Sequence, residues 1–217
     1  MRIAFLADIH GNLFALEAVL ADCRACRVEG YVFLGDLVMI GSRPREVFQT
    51  LEALKPLAWI KGNTDGWLEE IQPGFVPSSP QEAEILGLFE YGARHLDEAM
   101  RTALSSKPMA QRLDLGGAPV MICHGSPCSY SQGIRPGMAA EELDACLGPG
   151  SFRELVCAHT HIPMNFIHRG VRFLNFGSVS TPPRAGTTLP MGSWTSMPDA
   201  TCASARFPST SNPTPGT

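Results

Sequence analysis

The chain has 217 residues, enough for one ordinary α/β domain with a substantial core. Its 17 Lys plus Arg against 21 Asp plus Glu give a formal charge of −4, which excludes a long-range positive field drawing it to DNA, RNA or an anionic membrane. No stretch reaches the roughly 18 uncharged apolar residues of a membrane helix, and the opening apolar run meets Asp8 and His10 at once, so it reads as a buried first strand and not a signal peptide.

In chain order, residues 2–7 read as that strand, and Asn12 caps a helix running to about Cys26 with Leu13, Leu16, Val19 and Leu20 on one face. Residues 31–34 form a second strand. Pro44 sits near the start of a helix ending at about Lys55, and residues 57–60 form a third strand leading into Gly62-Asn63. This alternation sets polar residues just past each strand's carboxyl end, the edge at which open α/β sheets bind ligands because several loops converge there. Residues 72–80 carry three prolines and read as loop, and residues 81–103 as one helix with Gly87 and Gly92 as weak points. Residues 112–115 and 119–123 form a hairpin delivering His124-Gly125, residues 139–147 a short helix, and residues 155–157 a strand before His159. A second hairpin, 164–168 with 171–176, turns at Arg169-Gly170. From 181 to 217 Pro, Ser, Thr, Gly and Ala dominate without periodicity, which predicts an irregular tail behind a single domain of residues 1–180 with a helical insert at about 81–105.

Seven scattered cysteines fit free thiols in a reducing compartment, hence a cytoplasmic location, better than a disulfide framework. Cys23 and Cys26 have the spacing of a metal or redox half-site, but without a second such pair they read as two thiols along a surface helix.

Four of the six histidines follow predicted strands, as Asp8-Ile9-His10, His124-Gly125 and His159-Thr160-His161, while Asp36 and Asn63 each follow a glycine. Residues i and i+2 of an extended segment point the same way, so Asp8 and His10 reach one ion together. His159 and His161, about 6 to 7 Å apart by strand rise, serve two neighbouring cations. Taken singly, each residue has an ordinary explanation: Asp8 as a helix cap, Asp36 and Asn63 as turn residues, the histidines as hydrogen-bonded imidazoles. As a set, Asp8, His10, Asp36, Asn63, His124, His159 and His161 read as a metal site. Mixed imidazole and carboxylate suits Mn, Fe, Zn, Co or Ni better than Mg or Ca, with manganese the first expectation. The absence of thiolate from the set argues against a structural zinc knot.

The blocks Asp8-Ile9-His10-Gly11-Asn12, Gly35-Asp36, Gly62-Asn63-Thr64-Asp65, His124-Gly125 and Ala158-His159-Thr160-His161 resemble those of the calcineurin-like metallophosphoesterases over residues 2–179. Gly-Asn-Thr-Asp at 62–65 and Gly-Ser-Pro at 125–127 resemble the small bacterial and archaeal phosphodiesterase-like branch. The resemblance implies two facing mixed β-sheets with helices on both outer faces, a four-layer α-β-β-α sandwich. It implies a first divalent cation on Asp8, His10 and His161, a second on Asn63, His124 and His159, and Asp36 bridging both, with Asp36, Asn63 and His124 as catalytic residues. Two cations so bridged share a water held as hydroxide and neutralise an in-line phosphoryl transition state. The expected function is hydrolysis of a small phosphorylated substrate, most readily phosphodiesters or nucleotide-type phosphates. A phosphomonoesterase acting on small molecules or proteins, and a catalytically weak metal-binding scaffold for partner proteins, are the alternatives. Strong nucleic-acid binding and membrane association are not expected, and self-association is left open.

Ala158 stands where that family has glycine, and Phe176 where it often has proline in Asn-Phe-Gly-Ser. Thr64 occupies the position at which related branches carry a histidine that protonates the leaving group, and its hydroxyl is no acid near pH 7. Asn175 is expected to steady the metal loops, Asp65 to orient Thr64 or a ligand histidine or to cap a helix, and Arg135 and Arg184 either to contact phosphate or to face solvent.

Overall fold

A computed structural model describes residues 1–71, 74–147 and 152–181, together with the backbone of three short strands beyond them. β1 (Ile3–Leu6), α1 (Leu13–Ala25), β2 (Gly30–Phe33), α2 (Pro44–Ala53) and β3 (Ala58–Trp59) follow the expected alternation. β1 pairs in parallel with β2, and β2 in parallel with β3. Three helices follow: α3 (Asn63–Glu70), α4 (Pro80–His95) and α5 (Glu98–Ser105).

The second sheet is built from β4 (Ala110–Asp114), β5 (Pro119–Cys123), β6 (Glu154–Cys157), β7 (Met164–His168) and β8 (Val171–Asn175), with α6 (Ala140–Leu147) between β5 and β6. Its order is β4-β5-β6-β8-β7: parallel pairs in the centre, an antiparallel hairpin at each edge.

Strand alternation accounts for the layering. Ile3 and Phe5 of β1 and Val32 of β2 face Val120, Ile122, Val156 and Leu174 of the other sheet and make a core between the sheets. The alternate residues Ala4, Leu6 and Phe33 face outward onto Leu16, Leu20, Phe48, Leu51, Phe89 and Leu104 of the helices. Cys123, Leu155 and Phe173 do the same on the far side, against Leu143 and Cys146 of α6. Three cores therefore separate four layers, helix, sheet, sheet and helix.

Three expectations are corrected. The single helix over 81–103 is two helices, broken where Leu96 turns extended into the core and Asp97 caps α5 by accepting the Met100 N–H at 2.9 Å. α3 is an additional helix, opened by Asn63. Cys23 lies on no surface: it is fully buried in the helix-side core, and burial pushes its thiol up to about 12. None of the six described cysteines is in a disulfide.

Within the stretch expected to be irregular fall β9 (Leu189–Met191), β10 (Ser193–Trp194) and β11 (Ala203–Ala205). β10 adds antiparallel to the free edge of β1, Ile3 opposite Trp194, giving the first sheet the order β10-β1-β2-β3. β11 pairs with β9. Apart from Thr181, the rest of that stretch, Arg184 included, lies outside the described residues. Among the described residues no helix is long and apolar enough to cross a membrane.

Candidate metal centre

All seven residues singled out in the sequence meet at the carboxyl ends of strands from both sheets. Asp8, His10 and His161 present ligand atoms within 4.8 Å of one another, and so do Asp8, Asp36 and His124. Asp8 Oδ1 is 3.4 Å from His161 Nε2 and 3.8 Å from His124 Nε2. Asp36 Oδ2 is 3.4 Å from His124 Nε2 and 4.0 Å from His10 Nε2, so it stands between the two groups. Asn63 turns one carboxamide atom toward Asp36 Oδ2 at 3.2 Å, His124 Nε2 at 3.3 Å and His159 Nδ1 at 2.9 Å.

The convergence does not come from strand alternation. β1 ends at Leu6 and β6 at Cys157, and the ligand loops beyond them are left-handed: φ is +52° at Asp8, +48° at His10, +54° at Asp36, +67° at His159 and +58° at His161. Each such residue costs about 1 to 2 kcal/mol relative to ordinary backbone. Long-range backbone bonds hold them there: Asp8 N–H to Gly35 O, His10 N–H to Asp36 O and Gly11 N–H to Leu37 O, at 2.9 to 3.1 Å. On the other side of Asp8, the Ser178 hydroxyl and the Ser180 N–H both donate to its carbonyl. Ala158 is not among the positive-φ residues, and its methyl group packs in the inter-sheet core, so the missing glycine costs nothing. Phe176 packs its ring 5.5 Å from that of Phe5.

One loop is tied to another by a pair of carboxylates. Gly62, the N-cap position of α3, has no side chain to offer, and Asp36 Oδ1 takes that role by accepting the Thr64 N–H at 2.9 Å. Asp65, wholly buried, returns the bond: its Oδ2 accepts the Asp36 N–H at 2.9 Å and the Gly62 N–H at 3.0 Å. Asp65 therefore places Asp36 rather than orienting Thr64 or a histidine. Burial, reinforced by the charge of Asp36, pushes its carboxyl up to about 7 against the pull of those amides. Asp65→Ala is expected to cost about 2 to 3 kcal/mol of stability through two unsatisfied buried N–H groups, read by urea unfolding, and to weaken metal binding about 10- to 100-fold. Asn175 holds the third loop, donating from Nδ2 to Ala158 O at 2.8 Å and Thr160 Oγ1 at 3.1 Å.

The donor set fits cations. Both carboxylate oxygens of Asp8 are buried without a hydrogen-bond partner, as is His10 Nδ1, and an ionised carboxylate in that state is costly until a cation meets it. His124 donates Nδ1–H to Leu34 O at 2.6 Å, which leaves Nε2 facing the carboxylates. The Asn63 atom among three acceptors tells the same story. As amide nitrogen it donates to them, whereas as carbonyl oxygen it completes a ring of lone pairs around a positive ion.

Protonation is set by the same neighbours. Burial opposes the charge on Asp36, but the His124 imidazolium outweighs it and holds the carboxyl well below the usual range. Burial likewise works against charge on His124, yet Asp36 and Asp8 raise it to about 9. Burial lowers His10 and His159, and the Asp8 carboxylate, 3.4 Å from its Nε2, raises His161. A ligating His124 must shed its proton, so apparent metal affinity is expected to rise with pH toward about 9 and uptake at pH 7 to release protons. Calorimetry in buffers of different ionisation enthalpy measures this, and proton-neutral uptake would contradict it.

A sequence model described as the calcineurin-like phosphoesterase superfamily domain matches residues 1–192. The chain belongs to that superfamily. An uncharacterized protein of Methanocaldococcus jannaschii is 25% identical over 185 residues, covering 82% of this chain and 69% of that one. A metallophosphoesterase from Sphaerobacter thermophilus superposes with a TM-score of 0.67 at 25% identity, covering 89% and 83% of the two chains. A hypothetical protein from Pyrococcus horikoshii shares the fold at a TM-score of 0.74 and 22% identity, over 88% and 82%. The two clusters sharing Asp8 form a dinuclear metal site typical of calcineurin-like phosphoesterases.

Thr64 and Arg135 complete the neighbourhood. Thr64 is 2% exposed and its buried hydroxyl has no hydrogen-bond partner, so it is shut off from solvent. A methyl group on Gly133 would lie 3.2 Å from His159 Cδ2 and 3.8 Å from Arg135 Nη2, which puts the exposed guanidinium on the His159 side of the centre. The sequence reading missed the Asp8-bracing hydroxyl of Ser178 and the space requirement at Gly62. The Gly-Ser following Asn175-Phe176 was the available signal for the first.

Proposed function

We propose that this calcineurin-like phosphoesterase hydrolyses small phosphate esters, most readily diesters or nucleotide-type phosphates with good leaving groups. The Asp8 carboxylate, buried without a hydrogen-bond partner among the imidazoles of His10, His124 and His161 and beside the Asp36 carboxylate, carries the reading. Asp8, His10 and His161 would hold one divalent cation, Asn63, His124 and His159 another, and Asp36 both, with manganese the first choice for this mixed donor set. When bound, such a pair supplies Lewis-acid activation of water and of the phosphate oxygens.

The protein's own part is positional and electrostatic. Leu34 O fixes the His124 tautomer, Asp65 and Thr64 N–H fix Asp36, and neutral Asn63 adds a ligand without adding negative charge where a phosphate must approach. Arg135 stands ready for a phosphate oxygen. At the position after Asn63, Thr64 offers no proton donor, which favours leaving groups that depart unprotonated. Free cysteines suit a reducing compartment, and we place the protein in the cytoplasm.

Protein prepared without chelator should bind two ions per chain and, with manganese, hydrolyse an aryl phosphodiester. Efficiency on that diester should exceed that on glycerol phosphate about a hundredfold, the scale of a missing general acid. Equal efficiencies would reject the leaving-group argument, and absence of both metal and hydrolysis would reject the enzyme.

A further inference from the structure

Against the His10 edge of the metal centre lies an open cleft of about 460 Å³, within the size range of small-molecule sites. Three loops form it: His10 and Asn12 follow β1, Ile40 and Ser42 follow β2, and Ser180 and Thr181 follow β8. Among the described residues, no lining side chain other than His10 is charged or titratable. The polar groups are neutral hydroxyls and one amide. Asn12 spends its oxygen on capping α1 through Ala15 N–H at 3.1 Å, and its NH₂ has no partner among the described residues.

The apolar wall is preformed. Ile40 sits at φ +83°, a conformation that a β-branched residue adopts only when its surroundings impose it. Those surroundings are backbone: a methyl group on Gly41 would lie 1.9 Å from His10 O, and one on Gly11 2.7 Å from Val38 O, so the two loops touch without side chains between them. From the other side, Tyr91 of α4 donates its hydroxyl to Ser42 O at 3.1 Å.

Among the described lining residues a second phosphate placed here would meet no Lys or Arg, and an ammonium group no carboxylate, so a charged occupant would be desolvated without compensation from them. A neutral, hydroxyl-bearing ring would find hydrogen-bond partners on the rim and Ile40 for its face. We infer that this cleft is the subsite for the alcohol portion of the ester, a neutral group of pentose or nucleoside size. The inference rests on the phosphoesterase reading and narrows its substrates to esters of a polyhydroxy alcohol.

Ser42→Phe and Thr181→Phe, both at exposed positions outside the metal centre, fill the cleft. The first measurement needs no turnover: uridine titrated into the full-length metal-free protein and followed by NMR. Saturable binding in wild type, weakened about tenfold or more by either substitution, is expected. The second compares the manganese-loaded proteins on the p-nitrophenyl diesters of methyl phosphate and of thymidine 5′-phosphate. Wild type should prefer the thymidine ester, and the filled variants should lose that preference through KM while keeping their rate on the methyl ester. Absence of uridine binding, binding unaffected by both substitutions, or equal losses on the two esters would overturn the subsite. Failure of wild type to hydrolyse either ester would overturn the phosphoesterase reading instead, and the uridine titration would still decide the cleft.

Discussion

Asp36→Asn is expected to lower aryl diester hydrolysis by about three orders of magnitude, some 4 kcal/mol of transition-state stabilisation, with the chain still folded. The substitution is nearly isosteric, and Asn Oδ1 can go on accepting the Thr64 N–H that Asp36 Oδ1 now accepts at 2.9 Å, so α3 keeps its cap. What disappears is the negative charge between His10 and His124. Metal stoichiometry should fall below two per chain. A second readout separates this loss from misfolding: His124, held at about 9 with Asp36 as its strongest raising influence, should titrate lower in the metal-free variant, measurable by NMR. An unchanged His124 titration or retention of two ions would contradict the role given to Asp36.

Gly62→Ala should damage the centre without touching a ligand. The backbone at Gly62, φ −98° and ψ −173°, is open to any residue, so conformational freedom is not why glycine is there. Space is. A β-carbon would fall 2.1 Å from Asp36 Oδ1, 2.6 Å from Asp36 N and 2.8 Å from Asp36 Cγ, forcing apart the two loops that Asp65 ties together. Overpacking of this kind costs about 1 to 3 kcal/mol, and displacement of Asp36 should weaken metal binding about 10- to 100-fold. Gly87→Ala is the control: nothing lies within 4 Å of its added β-carbon on exposed α4, and it should stabilise by up to about 1 kcal/mol. Thermal unfolding and metal titration of the two variants side by side test the distinction. Equal behaviour would remove the steric argument.

The glycines of α4 show where sequence reading reaches its limit. Gly87 and Gly92 look alike in the sequence, as weak points of one helix. In the fold Gly87 faces open space, whereas a β-carbon on buried Gly92 would come within 3.1 Å of Met39 Cε, so that glycine lets α4 pack close. The helix break at Leu96-Asp97 was equally illegible. Asp97 is an ordinary N-cap, but the pattern of apolar residues runs on past it, and Leu96 breaks the helix because it enters a core made by other elements.

Sequence alone determined the β-α-β-α-β opening, the pairing of hydrophobic alternation with polar strand ends, and the seven residues whose donor types call for cations. These are local properties: periodicity reports which face is buried, and side-chain chemistry reports what can bind. Only the tertiary structure decided how the seven meet. The i, i+2 argument for Asp8 with His10, and for His159 with His161, assumed extended strand, whereas these residues are left-handed loop positions; Asp8 and His10 do come together, in a cluster with His161. They are held by bonds between residues far apart in the chain, such as Asp65 to Asp36 and Ser178 to Asp8. Strain of that kind leaves no periodic trace, because the energy that supports it comes from contacts that exist only once both sheets have closed on each other.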